Sequence, residues 1–150
     1  MNKRTATYSK KQKPKALAVR GGRRKTREEH SQETAQDYVE LIAKLIRDTG
    51  EARAIDIARI LSITHVTVGR TIRRLQRLGL VSVQPYRSIF LTESGKDLAE
   101  ESRCRHEIVL NFLIALGVPE HIAESDSEGI EHHVSKETLS AFSKFIKRNS

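Results

Sequence analysis

The stretch Thr64–Leu91, THVTVGRTIRRLQRLGLVSVQPYRSIFL, decides the fold. Val68, Ile72 and Leu75 recur at about 100° per residue, which puts them on one apolar helix face. Val66, Arg70, Arg73 and Arg77 fall on the opposite face, with Arg74 nearby. Thr64 offers the hydroxyl of an N-cap, and Gly79 suits the C-terminal end. Two β-like runs follow, Leu80 to Val83 and Ile89 to Leu91. Pro85, Tyr86, Arg87 and Ser88 between them read as a turn. A cationic helix followed directly by a hairpin is the pattern of a winged helix-turn-helix.

Working outward, Tyr38, Leu41, Ile42, Leu45 and Ile46 repeat at helical spacing, and Gly50 is a stop for that helix. The pattern sets in at Ser31. A short second helix is expected from about Arg53 to Leu61, with Ile55, Ile57 and Ala58 inward or close to it. Leu61-Ser62-Ile63 makes the tight connection to the third helix. Downstream, Thr92 can cap a long helix running towards Leu116, which Gly117-Val118-Pro119 breaks. A further helix spans about Pro119 to His133. Ser135 can cap the last one, with Leu139, Phe142, Phe145 and Ile146 apolar. The expected class is mainly α: a winged helix-turn-helix over residues 31–92, then a helical metal-binding and dimerisation domain over residues 93–150.

Charge is unevenly placed. The 150 residues sum to +8, and residues 1–30 alone hold eleven Lys or Arg against Glu28 and Glu29. That segment is +9, so the remainder is close to neutral. With Pro14, Gly21-Gly22 and little apolar periodicity, it reads as a basic disordered tail. Two roles fit it, a solubilising extension or a phosphate-binding arm. Cys104 is the one cysteine and cannot form an intrachain disulfide. There is no apolar run near membrane-spanning length and no signal-peptide pattern. These features suggest a cytoplasmic protein without a membrane partner.

On the third helix, the N-terminal residues Thr64, His65, Val66 and Thr67 are placed to read base edges in a DNA major groove. Thr and Val can meet a thymine methyl, and His65 or Arg70 can donate to guanine. Arg70, Arg73, Arg74 and Arg77 are candidates for phosphate contacts, and Tyr86 and Arg87 for contacts from the wing. Gly69, inside the helix, has two readings: close approach of a ligand backbone, or tight contact with the second helix. Ile108, Val109, Phe112, Leu113 and Leu116 read either as a dimer interface or as intrachain core.

Carboxylates and imidazoles form a second group. Asp37 and Glu40 are three residues apart on one helix face. His106 borders the face of Val109 and Leu113. Glu128, Glu131 and His132 lie at i, i+3, i+4 and are expected to point away from Ala123, Ile130 and Val134. His133 points elsewhere and Cys104 faces roughly the other side. Taken singly, each piece fits a solvated surface or a satisfied histidine. Together they are six potential metal ligands arranged around a DNA-binding motif. With no thiolate among them, they favour a hard or intermediate divalent ion.

The segments Asp37-Tyr38-Val39-Glu40, the winged helix, Arg105-His106-Glu107 and Glu128-Gly129-Ile130-Glu131-His132-His133 resemble the diphtheria toxin repressor family, in particular its manganese-responsive branch. The resemblance covers roughly residues 33–148. It implies metal bound by Asp37, Glu40, His106, Glu128, Glu131 and His132, where the winged helix meets the dimerisation domain. Iron-responsive relatives include sulfur ligands; none of these six is sulfur. The implied function is a Mn²⁺-activated homodimeric repressor of metal-uptake genes, with one or two ions per subunit and double-stranded operator DNA as partner. The alternative is a metal-independent winged-helix regulator. A dinuclear hydrolase using the same ligands lacks a His-Glu-x-x-His pattern, a nucleophile elbow and a phosphate loop; no enzyme activity is expected.

Overall fold

The computed structural model describes residues 19–84 and 88–149, with side chains from Thr26 onward. Six helices and three short strands follow in the order α1 (Val19–Thr49), β1 (Ala52–Arg53), α2 (Ala54–Leu61), α3 (His65–Arg77), β2 (Val81–Val83), β3 (Ser88–Leu91), α4 (Glu93–Ala115), α5 (Glu120–Ile130) and α6 (Lys136–Asn149). No described helix is long and apolar enough to cross a membrane.

The caps read from sequence are present. Thr64 Oγ1 accepts from Thr67 N at 3.2 Å, Thr92 Oγ1 from Gly95 N at 3.1 Å, and Ser135 Oγ from Thr138 N at 3.1 Å. Each satisfies a backbone donor that the first helical turn leaves open. Between α2 and α3 the chain turns at Ser62, which adopts φ 54°, ψ 41°. That left-handed conformation ends α2, and α3 begins three residues later at His65.

α1 begins at Val19, not near Ser31, so residues 19–30 of the expected disordered tail are helical. Arg, Lys and Glu make up seven of these twelve residues, and all are good helix formers despite lacking an apolar stripe. Arg74 on α3 fastens it, donating to Ser31 Oγ at 2.8 Å and to Ser31 O at 3.0 Å. Residues 1–18, the rest of that tail, lie outside the described residues.

The sheet was also only partly expected. β3 is central, paired antiparallel to β2 (Val81↔Leu91, Val83↔Ile89) and to β1 (Ala52↔Ile89). β1 is too short to carry a period, so only its partner reveals it. The core of this half joins Ala35, Tyr38, Ile42 and Leu45 of α1 to Ile57, Val68, Ile72, Leu75, Val81 and Ile89. Ile55, expected inward or close to it, is exposed.

α1 also packs on α4, and α4 on α5 and α6. Val39, Val109 and Ala123 are fully buried. Phe112 stacks on Phe142 with centroids 3.8 Å apart and meets Phe145 edge-on at 5.4 Å. Val109 and Phe112 therefore serve the intrachain core, while Ile114, Leu116 and Ile122 remain exposed at the end of α4 and on α5.

The junction between the halves is tight. Thr92 N donates to Leu80 O at 3.1 Å, and Thr92 Oγ1 donates to Gly79 O at 2.5 Å. Gly95, one turn into α4, sits directly over Leu80: a Cβ there would stand 2.0 Å from Leu80 O.

Candidate nucleic-acid interface and metal centre

The reading face of α3 is open. Thr64, His65, Val66 and Thr67 are all exposed at its N-terminus. Thr64 and Thr67 also share a hydroxyl–hydroxyl bond of 3.0 Å, which fixes both side chains. Arg70, Arg73 and Arg77 are exposed and line a shallow groove with Gln76. Arg74 departs from this set. Its guanidinium is turned back onto Ser31, so the structure places it as a tether between α3 and α1 and not on the open arginine face. Tyr86 and Arg87 lie outside the described residues.

Gly69 has open space around it. A Cβ built on it meets nothing within 4 Å, so contact with α2 does not require glycine there. Gly69→Ala is therefore expected to raise stability by about 0.5–1 kcal/mol, the helix-propensity difference. Urea denaturation checks this; a loss of stability would show a constraint on Gly69 that its open surroundings do not reveal.

The carboxylates and imidazoles converge where α1, α4 and the end of α5 meet. α5 stops at Ile130, one turn short of the expected His133, and Glu131 to His133 form a turn. Glu131 itself keeps helical dihedrals and donates from its backbone N to Ser127 O at 3.0 Å. Ala123, Ser127 and Glu131 share the buried stripe, so Glu131 points inward, against expectation, and is 3% exposed. Glu128 stays largely exposed. Arg105, next to His106, holds the turn by donating to Glu131 O at 2.5 Å and Val134 O at 2.8 Å.

Glu131 sits between two imidazoles. Its Oε2 is 2.7 Å from His106 Nδ1 and its Oε1 is 3.6 Å from His132 Nε2. His132 Nε2 also lies 3.3 Å from Asp37 Oδ1, and His106 Nδ1 lies 4.0 Å from Glu128 Oε1. Glu40 is joined to α4 by Ser102, whose Oγ donates to Glu40 Oε2 at 3.0 Å. All six sequence candidates thus share one neighbourhood. Among the described residues, no three donors are arranged to hold a metal ion as they stand; the imidazoles close directly on carboxylates instead.

Electrostatics explains that closure. Burial pushes the Glu131 carboxyl above its ordinary range, against the pull of His106 and His132, and Glu40 adds to the rise. Partial burial likewise raises Asp37; His132 opposes this, and Glu128, Glu40 and Glu33 reinforce it. Four carboxylates crowd together, and among the described residues the close side-chain partners of the Glu131 carboxylate are the two imidazoles. The deficit is positive charge. A divalent cation taking oxygen and imidazole donors fits this set, whereas nothing in it selects for a soft, thiolate-bound ion.

Sequence reasoning missed three participants. Gln36 Oε1 lies 3.1 Å from His132 Nδ1, Ser102 holds Glu40, and Glu33 Oε1 lies 3.6 Å from His133 Nε2. Gln36 immediately precedes Asp37 and Glu33 lies one turn before it on the same helix, which is the one signal that spacing offered. Cys104 is exposed and turned towards Glu100, away from this cluster.

The fold and site define a class: a winged-helix protein whose two halves meet across a carboxylate–imidazole cluster. Residues 30–89 match the family described as iron dependent repressor, N-terminal DNA binding domain. Residues 92–150 match iron dependent repressor, metal binding and dimerisation domain. The chain is 51% identical over 128 residues to the transcriptional regulator MntR of Escherichia coli O6:H1, a match covering 85% of this chain and 83% of the relative. It is 50% identical to MntR of Salmonella typhimurium, over 85% of this chain and 82% of that one. Among solved structures it is similar to a manganese-dependent transcriptional repressor in complex with manganese, with a TM-score of 0.68 and 25% identity over 75% of this chain and 52% of that one. It is also similar to IdeR of T. acidophilum, with a TM-score of 0.64 and 26% identity, again over 75% and 52%. The chain thus spans about half the length of those two solved structures. The chain belongs to the iron-dependent repressor family, that of the diphtheria toxin repressor.

Proposed function

We propose that this chain is a manganese-responsive transcriptional repressor that binds operator DNA as a homodimer in the cytoplasm. The observation that carries the reading is the buried Glu131 carboxylate, facing two imidazoles at the joint between the halves. Asp37, Glu40, His106, Glu128, Glu131 and His132 are the proposed ligands, for one or two ions per subunit. A bound Mn²⁺ supplies positive charge that these oxygen and nitrogen donors share. Asp37 and Glu40 reach in from α1, His106 from α4, and the others from the end of α5. Ligation therefore ties the helix that carries the winged-helix core to the helical half.

Thr64, His65, Val66 and Thr67 would read bases, while Arg70, Arg73 and Arg77 meet phosphates. Tyr86 and Arg87 are proposed wing contacts. One module is small, so two copies on half-sites about 34 Å apart supply affinity. The exposed Ile114, Leu116 and Ile122 offer apolar surface for pairing. Fixing α1 against α4 narrows the spread of distances between two reading helices. Metal acts only through its preference for the DNA-competent arrangement, and couplings of this kind run to about 5–150-fold. The regulated genes implied by the family are those of metal uptake.

The test selects duplexes from a random DNA pool with Mn²⁺ present. It then measures affinity for the winner in Mn²⁺, Fe²⁺, Zn²⁺ and chelator at one salt concentration. Mn²⁺ is expected to tighten binding at least tenfold over chelator. Equal affinity in both would refute the switch and leave a metal-independent winged-helix regulator.

A further inference from the structure

The two ring nitrogens of His132 face different neighbours. Nε2 looks onto Asp37 and Glu131, at 3.3 and 3.6 Å. Nδ1 lies 3.1 Å from Gln36 Oε1. The side chain is 11% exposed, so solvent has little access to either nitrogen. With the Gln36 amide oxygen on this side, the contact is made by a hydrogen on Nδ1, since an amide oxygen only accepts. A neutral imidazole carries one N–H. With it on Nδ1, Nε2 keeps its lone pair on the side of the carboxylates.

We propose that Gln36 is a positioning residue: it sets the tautomer and direction of the His132 ring so that Nε2 is presented as a donor. Its functional consequence rests on the metal-binding reading above. Gln36 and Asp37 are consecutive on α1, so one turn of that helix supplies a carboxylate and also orients an imidazole from beyond α5. His132 lies in the turn after α5, held at the backbone by Glu131 N to Ser127 O and His133 N to Ile130 O, bonds that leave the ring free to rotate. The hydrogen bond from Nδ1 to α1 fixes it from the other half of the molecule. On another side Gln36 borders a cavity of about 790 Å³, shared with Ser31, Gln32, Leu78, Leu80 and Leu98. An apolar side chain of similar length has room there.

The test compares Gln36→Leu, which cannot accept, with Gln36→Glu, which can, in the full chain. Two quantities are read: the ¹⁵N signature of the His132 ring in the metal-free protein at alkaline pH, and the Mn²⁺ dissociation constant by titration. The wild type and Gln36→Glu are expected to carry the hydrogen on Nδ1, and Gln36→Leu to shift it towards Nε2. The Mn²⁺ dissociation constant is expected to rise about 10–100-fold in Gln36→Leu, as for outer partners of metal-bound histidines, and to recover in Gln36→Glu. A wild-type ring protonated on Nε2 would overturn the proposal. So would Gln36→Leu with unchanged spectrum and affinity, or a loss that Gln36→Glu leaves unrepaired, since that marks packing. If the wild type takes up no Mn²⁺, the manganese reading falls, and the ring spectra alone still decide the role of Gln36.

Discussion

Glu131→Gln is expected to weaken Mn²⁺ binding by at least about 100-fold and to remove the metal dependence of DNA binding. The magnitude follows from position. Changing even the outer partners of metal ligands lowers affinity about 10–100-fold. Glu131 is a proposed ligand, buried and facing both imidazoles. Gln preserves its shape and removes its charge. The metal-free protein should not suffer. Because the Glu131 carboxyl is held above its ordinary range, its ionised form opposes folding, and this penalty grows as pH rises through the raised value. Neutral Gln escapes it. Thermal unfolding without metal should thus show Glu131→Gln at least as stable as wild type at neutral pH. With Mn²⁺ at about 100 times its dissociation constant, only the wild type should gain about 2.7 kcal/mol. Full Mn²⁺ stabilisation of the variant would remove Glu131 from the ligand set.

Gly95→Ala should produce the largest loss of stability of the substitutions considered, about 3 kcal/mol or more. Its Cβ would stand 2.0 Å from Leu80 O and 3.0 Å from Leu80 C, both backbone atoms that no rotamer change can move. Relief requires the first turn of α4 to lift from the start of β2, breaking the bond from Thr92 N to Leu80 O. Overpacking of this kind typically costs about 1–3 kcal/mol, and larger effects belong to sites that cannot yield. At about 2–4 °C per kcal/mol for a chain of this size, the melting temperature should fall by roughly 6–12 °C. Calorimetry of wild type and variant measures it; a shift under a degree would mean that this junction gives way easily. Gly69→Ala is the internal control, with the same change of residue expected to act in the opposite direction.

The two glycines mark what the sequence could disclose. Both read alike as glycines within helices, and their difference lies wholly in what packs against them. Features governed by neighbours along the chain were legible: the Val68–Ile72–Leu75 face and the Thr64, Thr92 and Ser135 caps. Features governed by distant partners were not. β1 exists because Ala52 meets Ile89, and two residues carry no period of their own. The start of α1 was hidden because charged helix formers show no apolar stripe, and the tether from Arg74 to Ser31 is a tertiary contact. At the site, residue types and chain order picked out the six candidates. The inward face of Glu131 was missed because the buried stripe it shares with Ala123 and Ser127, at i, i+4, i+8, has two polar members and so shows no apolar period.

β1 has a mechanical consequence of its own. It fastens the central strand of the wing to the C-terminal end of α1, and Ser88 Oγ adds a bond of 3.1 Å to Glu51 Oε2. α1 is therefore gripped at two places, by the arginine clasp at Ser31 midway along it and by the sheet where it finishes. A force on the wing reaches α1 without passing through the reading helix. Asp37 and Glu40 ride on that shaft between the two fastenings, so the carboxylates share one rigid element with the anchor of the hairpin.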